Sequence, residues 1–349
     1  MPAEWEKHEG TWLQWPHDDT HPGSQMRLEH IWLAMTGALH EHEVVHIVVP
    51  DECRQDHVYR QVAYYGLDQS NIDIRVFPTN DVWARDSGPI FLVNDKGELA
   101  ATDWNFNGWG ERYPYDKDTT VPAGIAEMLS VPVFTAPITL EGGGVEVNGK
   151  GTLLATRSSI VNPNRNPGKS QAEIEGVLRE YLSVDHFIWL SGRDGVGDTD
   201  VHIDGAARFT DESTVLYSWT DDESYPRYDI WSEHKEQLEQ AVTESGKPLT
   251  LVPLPVTGGR IWKTVRQPVR PPFKNEPSLG LYANYFVANN VVLVPVYGDV
   301  NDARAKSIIA EHFPGREVIG ILAHMLAELG GMIHCVTQQQ PASRIWEAS

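Results

Sequence analysis

Apolar and polar positions alternate along the chain in two periods, one helical and one extended. Leu28, Ile31, Trp32, Met35 and Leu39 recur at helical spacing and predict a helix from Met26 to His40. The β-branched run Val44–Val49, closed by Pro50, reads as a buried strand. An amphipathic stretch over Asp51–Tyr65 leads to a strand over Ile72–Phe77, then to Trp83-Ala84-Arg85-Asp86-Ser87-Gly88-Pro89. The same order of helix, strand and polar loop then returns. Val121–Leu129 and Val131–Phe134 precede Leu140-Glu141-Gly142-Gly143-Gly144. A helix over Ser170–Leu182, opened by a capping box of Ser170 and Glu173, precedes His186–Leu190 and then Asp198-Thr199-Asp200-Val201-His202-Ile203-Asp204. Tyr228–Ser245, stopped by Gly246, precedes Leu249–Pro253 and a Pro- and Arg-rich loop to Pro277. Asn301–Phe313 and Glu317–Ile319 lead to the last segment, which carries Cys335. Short strands at Ile90–Val93, Thr152–Ala155, Thr214–Ser218 and Val291–Val296 fill the intervals.

Five such units with no linker or composition break between them make one domain over residues 1–349, and their repetition suggests a closed or radial α/β array. Four of the five place a lone polar signature after the strand, as expected of a single site on a common axis. The Cys335 segment follows Gly330-Gly331 and reads as a strand. On that reading Met332, His334 and Val336 face one way, and Ile333, Cys335 and Thr337 the other.

Charge narrows the function. The formal net charge of −21 argues against nucleic acid and anionic membrane surfaces and suits a cationic small molecule. Cys53 and Cys335 are the only cysteines, too few for a disulfide framework and in keeping with a reducing compartment. The opening Met1-Pro2-Ala3-Glu4-Trp5 has no apolar signal core, and no run of eighteen apolar residues occurs. The expectation is a soluble cytoplasmic protein. A homo-oligomer stays open.

The four signatures supply Asp86, Glu141, the His202/Asp204 pair and Cys335. A thiolate is a nucleophile, and an imidazole oriented by a carboxylate carries protons near neutral pH. That leaves two carboxylates over, and concentrated negative charge calls for a cation between them. A planar guanidinium matches paired carboxylates. A thiol aimed at its carbon is hydrolytic deimination, which needs neither metal nor cofactor. Each signature alone has a plainer reading. Cys335 could be a small buried hydrophobe, His202-Ile203-Asp204 a metal pair or a surface turn, Glu141 a turn cap, and Arg85-Asp86 an exposed ion pair. The string His42-Glu43-Val44-Val45-His46 spells a zinc-protease motif, but it runs into a strand, where its histidines lie roughly 13 Å apart. Gly142–Gly144 lacks the context of a phosphate loop.

These residues sit in longer phrases that resemble the agmatine deiminases and the bacterial-type peptidylarginine deiminases with which they belong. The phrases are Met1–Trp5, Trp12–Pro16, Asp103–Gly110, Asn162–Pro167, Tyr282–Asp302 and Gly331–Pro341. The resemblance implies the five-bladed α/β propeller of the guanidine-modifying superfamily. It implies Cys335 as nucleophile, His202 as general acid and base, and Asp204 and Asp86 as guanidinium ligands. Trp83 would then be a pocket wall, and Glu141 the partner of His202. The chain departs from the agmatine enzymes at Val201, where they carry glycine, at Glu111-Arg112, and in the Arg260–Pro277 loop. Agmatine, giving N-carbamoylputrescine, is the expected substrate. Arginine, peptidyl-arginine or another carboxylated guanidine is the alternative, as is transfer of the amidino group to an amine. A propeller that only binds a protein partner is the non-catalytic alternative.

Overall fold

The structure, a computed structural model, describes residues 1–18, 23–259 and 279–343. The Arg260–Pro277 loop therefore lies outside the described residues. The first unit holds β1 (His8–Gln14), α1 (Ser24–Leu39), β2 (Val44–Val49), α2 (Glu52–Tyr64) and β3 (Ile72–Val76). The second holds β4 (Ile90–Val93), β5 (Leu99–Asp103), α3 (Val121–Leu129) and β6 (Val133–Thr135). The third holds β7 (Val145–Val147), β8 (Thr152–Thr156), α4 (Gln171–Leu182) and β9 (His186–Leu190). The fourth holds β10 (Ala207–Phe209), β11 (Thr214–Trp219), α5 (Tyr228–Glu239) and β12 (Thr250–Pro255). In the fifth are β13 (Phe286–Ala288), β14 (Val291–Val296), α6 (Asp302–His312) and β15 (Glu317–Leu322), with β16 (Gln338–Pro341) following.

These strands form five small sheets, the blades of an α/β propeller. Four repeat one plan: an antiparallel first pair, then a parallel pair reached through the helix. The remaining sheet has the order β16-β1-β2-β3, so the last strand pairs antiparallel with the first and closes the ring. The second strand of each repeat is buried almost throughout, whereas β6 is wholly exposed, and β12 and β15 are exposed at their starts. That is why Val44–Val49 and Val291–Val296 read as continuous apolar runs rather than alternating ones. Among the described residues no helix is long and apolar enough to cross a membrane.

Two expectations fail, each for a local reason. The helix α5 stops at Glu239, not Ser245. The β-branched Val242 and Thr243 follow, Val242 bridges to Pro248, and Gly246 turns back onto the Thr243 carbonyl at φ 75°. The Cys335 segment is not a strand either. His334–Val336 is a single 3-10 turn, closed by the Thr337 hydroxyl donating to the Ile333 and His334 carbonyls, and β16 begins only at Gln338. His334 and Cys335 consequently face the same carboxylate instead of opposite sides. The zinc-like string is only partly extended, since His42 and Glu43 lie in the turn before β2; Glu43 accepts from Thr11 and the Asn289 N–H, while His46 turns to Asp73.

Ring closure rests on β16, where Gln340 Oε1 accepts the buried Trp12 indole N–H at 2.9 Å. Gln340→Ala should lower unfolding free energy by about 1–3 kcal/mol, since it strands that donor. Urea denaturation checks this, and an unchanged midpoint would contradict it.

Candidate active site

Each blade's first strand is preceded by a short turn, and the five turns converge on the axis. They are Ala84–Ser87 before β4, Gly142–Gly144 before β7, Ile203–Gly205 before β10, a Leu281–Asn284 turn before β13, and His334–Val336 before β16. A turn before a strand aims its side chains inward while the strand itself stays rigid. The five expected catalytic residues lie in or just before four of these turns. His202 Nε2 donates to Glu141 Oε2 at 3.0 Å, and its Nδ1 lies 3.7 Å from Asp86 Oδ1. Cys335 Sγ lies 3.7 Å from Asp204 Oδ2. The close approach is possible because Gly143 has no side chain: a Cβ there would lie 2.6 Å from His202 Nδ1 and 2.8 Å from Asp86 Oδ1. Trp83 forms a wall of the cleft, its ring backed by Gly331, where a Cβ would lie 2.2 Å away. The cleft opens over Cys335, His202 and Asp204.

Sequence reasoning missed three members. Asn284 belongs to the one blade that gave no polar signature. Its Oδ1 accepts the His334 and Cys335 main-chain N–H groups at 3.0 and 3.4 Å, and its Nδ2 lies 3.3 Å from Sγ. Its turn Leu281–Asn284 shows no Gly or charged motif, so only its position before β13 could have pointed to it. Trp109 donates its indole N–H to Asp86 Oδ2 at 2.8 Å. Arg165, fully buried, joins Glu141 at 2.8 Å to Asp200 at 2.5 Å. Trp109 and Arg165 lie in the phrases Asp103–Gly110 and Asn162–Pro167, which the sequence singled out without assigning them work.

Two departures from the agmatine enzymes meet in one loop. Val201 sits at φ 65°, a left-handed conformation that costs a β-branched residue of order 1–3 kcal/mol and that glycine adopts freely. The Thr156 hydroxyl holds it there, donating to the Val201 carbonyl at 2.7 Å. Arg112, the other departure, pairs with neighbouring Asp200 at 2.8 Å.

Burial sets the electrostatics, and the charges then divide it. For Asp86, burial and the nearby Asp204 and Glu141 carboxylates outweigh His202, so its pKa rises. Burial would lower His202, but the Asp86 charge and the Glu141 hydrogen bond prevail and raise it. Glu141 stays below its usual value because Arg165 and His202 overcome its burial. Burial pushes the Cys335 thiol well up, and Asp204 and Asp86 push it further. The resting site thus favours the neutral thiol and the protonated imidazole. A bound cation would reverse the two carboxylates' effect on sulfur.

A five-bladed α/β propeller with a thiol, an imidazole and paired carboxylates on its axis is the architecture of the guanidine-modifying enzymes. The sequence profile of the Porphyromonas-type peptidyl-arginine deiminases matches residues 1–341, and the chain belongs to that family. It is 34% identical to the agmatine deiminase of Pseudomonas aeruginosa strain LESB58, over 99% of this chain and 96% of that one. The solved agmatine deiminase of Enterococcus faecalis superposes with a TM-score of 0.89 at 28% identity, over 98% and 95% of the two chains. A cysteine-to-serine form of the Campylobacter jejuni agmatine deiminase with substrate bound superposes at 0.84 with 26% identity, over 98% and 96%.

The charge pattern predicts selective alkylation. Neutral iodoacetamide at neutral pH should modify exposed Cys53 and spare Cys335, whereas cationic chloroacetamidine should reach Cys335 at least about tenfold faster. The Cys335 rate should climb with pH, because its raised pKa keeps it protonated until more alkaline conditions. Peptide mass spectrometry reads both rates. Equal reactivity of the two reagents at Cys335 would contradict the pattern.

Proposed function

We propose that the chain hydrolyses agmatine to N-carbamoylputrescine and ammonia through a covalent intermediate on Cys335. The observation that carries this is Asp204 Oδ2 at 3.7 Å from Sγ, with Asp86 on the other side of His202. A guanidinium between the two carboxylates meets their charge, presents its carbon to sulfur, and favours the thiolate, whose proton passes to solvent. Sulfur adds to that carbon. His202, already an imidazolium, gives a proton to one nitrogen, which departs as ammonia and leaves an S-linked amidinium. Neutral His202 then takes a proton from water as the oxygen adds. Collapse expels the thiolate and releases the ureido product. Glu141, held by Arg165, keeps the imidazole aimed through both halves.

The agmatine assignment draws on the relatives named agmatine deiminase that align over nearly the whole chain. The cleft supports it too. Asp198 lines it together with the guanidinium ligands and suits the tail ammonium. Arg227 lines the same cleft and favours a second reading, a carboxylated guanidine such as arginine. Ammonia release over agmatine, arginine, guanidinobutyrate and blocked arginine peptides decides between them. Agmatine should have the highest kcat/KM. Asp198→Asn should raise its KM roughly tenfold or more, and Arg227→Ala should change it by no more than a few-fold. Preference for arginine, lost in Arg227→Ala, would overturn the agmatine assignment and leave deimination standing.

The acid limb follows from Asp86. A carboxylate with a raised pKa takes up its proton at a higher pH than usual, so kcat/KM should fall on acidification as Asp86 is neutralised. Asp86→Asn should lose activity at every pH rather than merely shift the limb, as pH–rate profiles will show. Asp86→Asn with full activity would remove Asp86 from the mechanism.

A further inference from the structure

The opening phrase Met1–Trp5 and the histidine next to the nucleophile have no part in the mechanism above. Yet they meet directly beneath it. His334 Nδ1 lies 2.9 Å from Asp204 Oδ2, and its Nε2 lies 2.7 Å from Glu4 Oε2. Glu4, four residues into the sequence, is 6% exposed and lies 330 positions from His334. Neither lines the substrate cleft; both line a separate small pocket with Met1, Arg85 and Gln339.

The ionic state follows from counting donors. Glu4 Oε1 accepts from Arg208 at 2.9 Å and from the Val287 N–H at 2.9 Å, while Oε2 faces Arg85 at 3.4 Å as well as His334. Burial would raise the Glu4 pKa, but Arg208, His334 and Arg85 carry it well below the usual range. Asp204 is also buried, and the hydrogen bond and charge of His334 bring it below its ordinary value. Two carboxylate oxygens therefore flank one imidazole, one at hydrogen-bond distance from each ring nitrogen. A neutral ring has a single N–H and could serve only one of them; the cation has two. Glu4, Glu146 and Asp204 then balance Arg85, Arg208 and His334 in one buried network.

We propose that Glu4 and His334 form a brace, carboxylate to imidazolium to carboxylate, that fixes Asp204 in the orientation which meets the substrate cation. Both are positioning residues, acting on the substrate only through Asp204. Asp204 needs such a fixture. Across the site it meets the Asp86 charge and the Cys335 sulfur, and His202 attracts it without a hydrogen bond, so no donor on that side fixes its orientation. An unbraced carboxylate there would turn toward Arg208 or take up a proton. A misplacement of order 1 Å at a reacting group costs about 10²-fold in rate. The brace also explains why Cys335 lies in a 3-10 turn: a strand would send His334 and Cys335 to opposite faces, and one Asp204 oxygen could not serve both.

The inference rests on the guanidine reading of the site, and its test separates the two. Agmatine binding is measured calorimetrically on Cys335→Ser protein, which keeps the cleft and cannot turn over. Adding Glu4→Gln, which keeps size and removes charge, should weaken binding by roughly tenfold or more. Asp204→Asn should also weaken it, and the double substitution should bind within about twofold of Asp204→Asn alone, because the brace acts through that residue. A role confined to stability would give additive losses, or none in folded protein. Should Glu4→Gln not fold, His334→Gln is read the same way. Folded Glu4→Gln and His334→Gln that bind agmatine like the parent, or additive losses in the double variant, would overturn the brace. If agmatine fails to bind even the parent, the substrate assignment falls. The brace is then read from the chloroacetamidine rate at Cys335, which Glu4→Gln should slow about tenfold and which an absent brace would leave unchanged.

Discussion

Everything at the axis depends on buried negative charge that the resting protein only partly neutralises. Asp86, Glu141 and Asp204, all nearly inaccessible to water, crowd around the His202 imidazole and the partly buried Cys335 thiol. Desolvating carboxylates is expensive unless each has a partner, and the partners here are unequally shared. Glu141 has Arg165, and Asp204 has His334. Asp86 has an indole N–H, the Gly143 N–H and a distant edge of His202, and its pKa is the one of the three that rises. The site is thus short of one cation on the Asp86 side. A guanidinium supplies it, and the same charge makes the sulfur reactive. Binding and activation become one event.

The propeller is what makes this crowding possible. Five strands starting around one axis can each bring a turn inward, and no single helix or sheet edge could bring so many polar groups together while keeping the backbone bonded. Gly142, Gly143 and Gly331 mark where backbone passes its neighbours at closer range than a Cβ permits. The acidic surface acts further out, drawing cations toward the cleft.

Much of this was legible in the sequence, and the reasons differ by element. Val44–Val49 and Val291–Val296 announced buried strands because both their faces are covered. Asp86, Glu141, His202, Asp204 and Cys335 stood out because each is a polar outlier at the same place in a repeated unit. Asn284 did not, since a neutral amide in the turn Leu281–Asn284 resembles any loop residue. The Cys335 segment was misread because its apolar alternation has the period of a strand, while Gly330 at φ 101° and the Thr337 hydroxyl favour a tight turn. Glu4 was recognisable only as part of a familiar opening phrase. Its contact with His334 joins residues 330 positions apart, a distance that no local pattern encodes.

The account turns on sulfur forming a bond to the guanidine carbon under the influence of the substrate's own charge. Acid quenching during steady-state turnover of agmatine, followed by intact and peptide mass spectrometry, tests this most directly. The account predicts an adduct on Cys335 of agmatine less ammonia, absent from Cys53 and absent when Cys335 is serine. Turnover with no adduct at any quench time, together with full activity in Cys335→Ser, would contradict it.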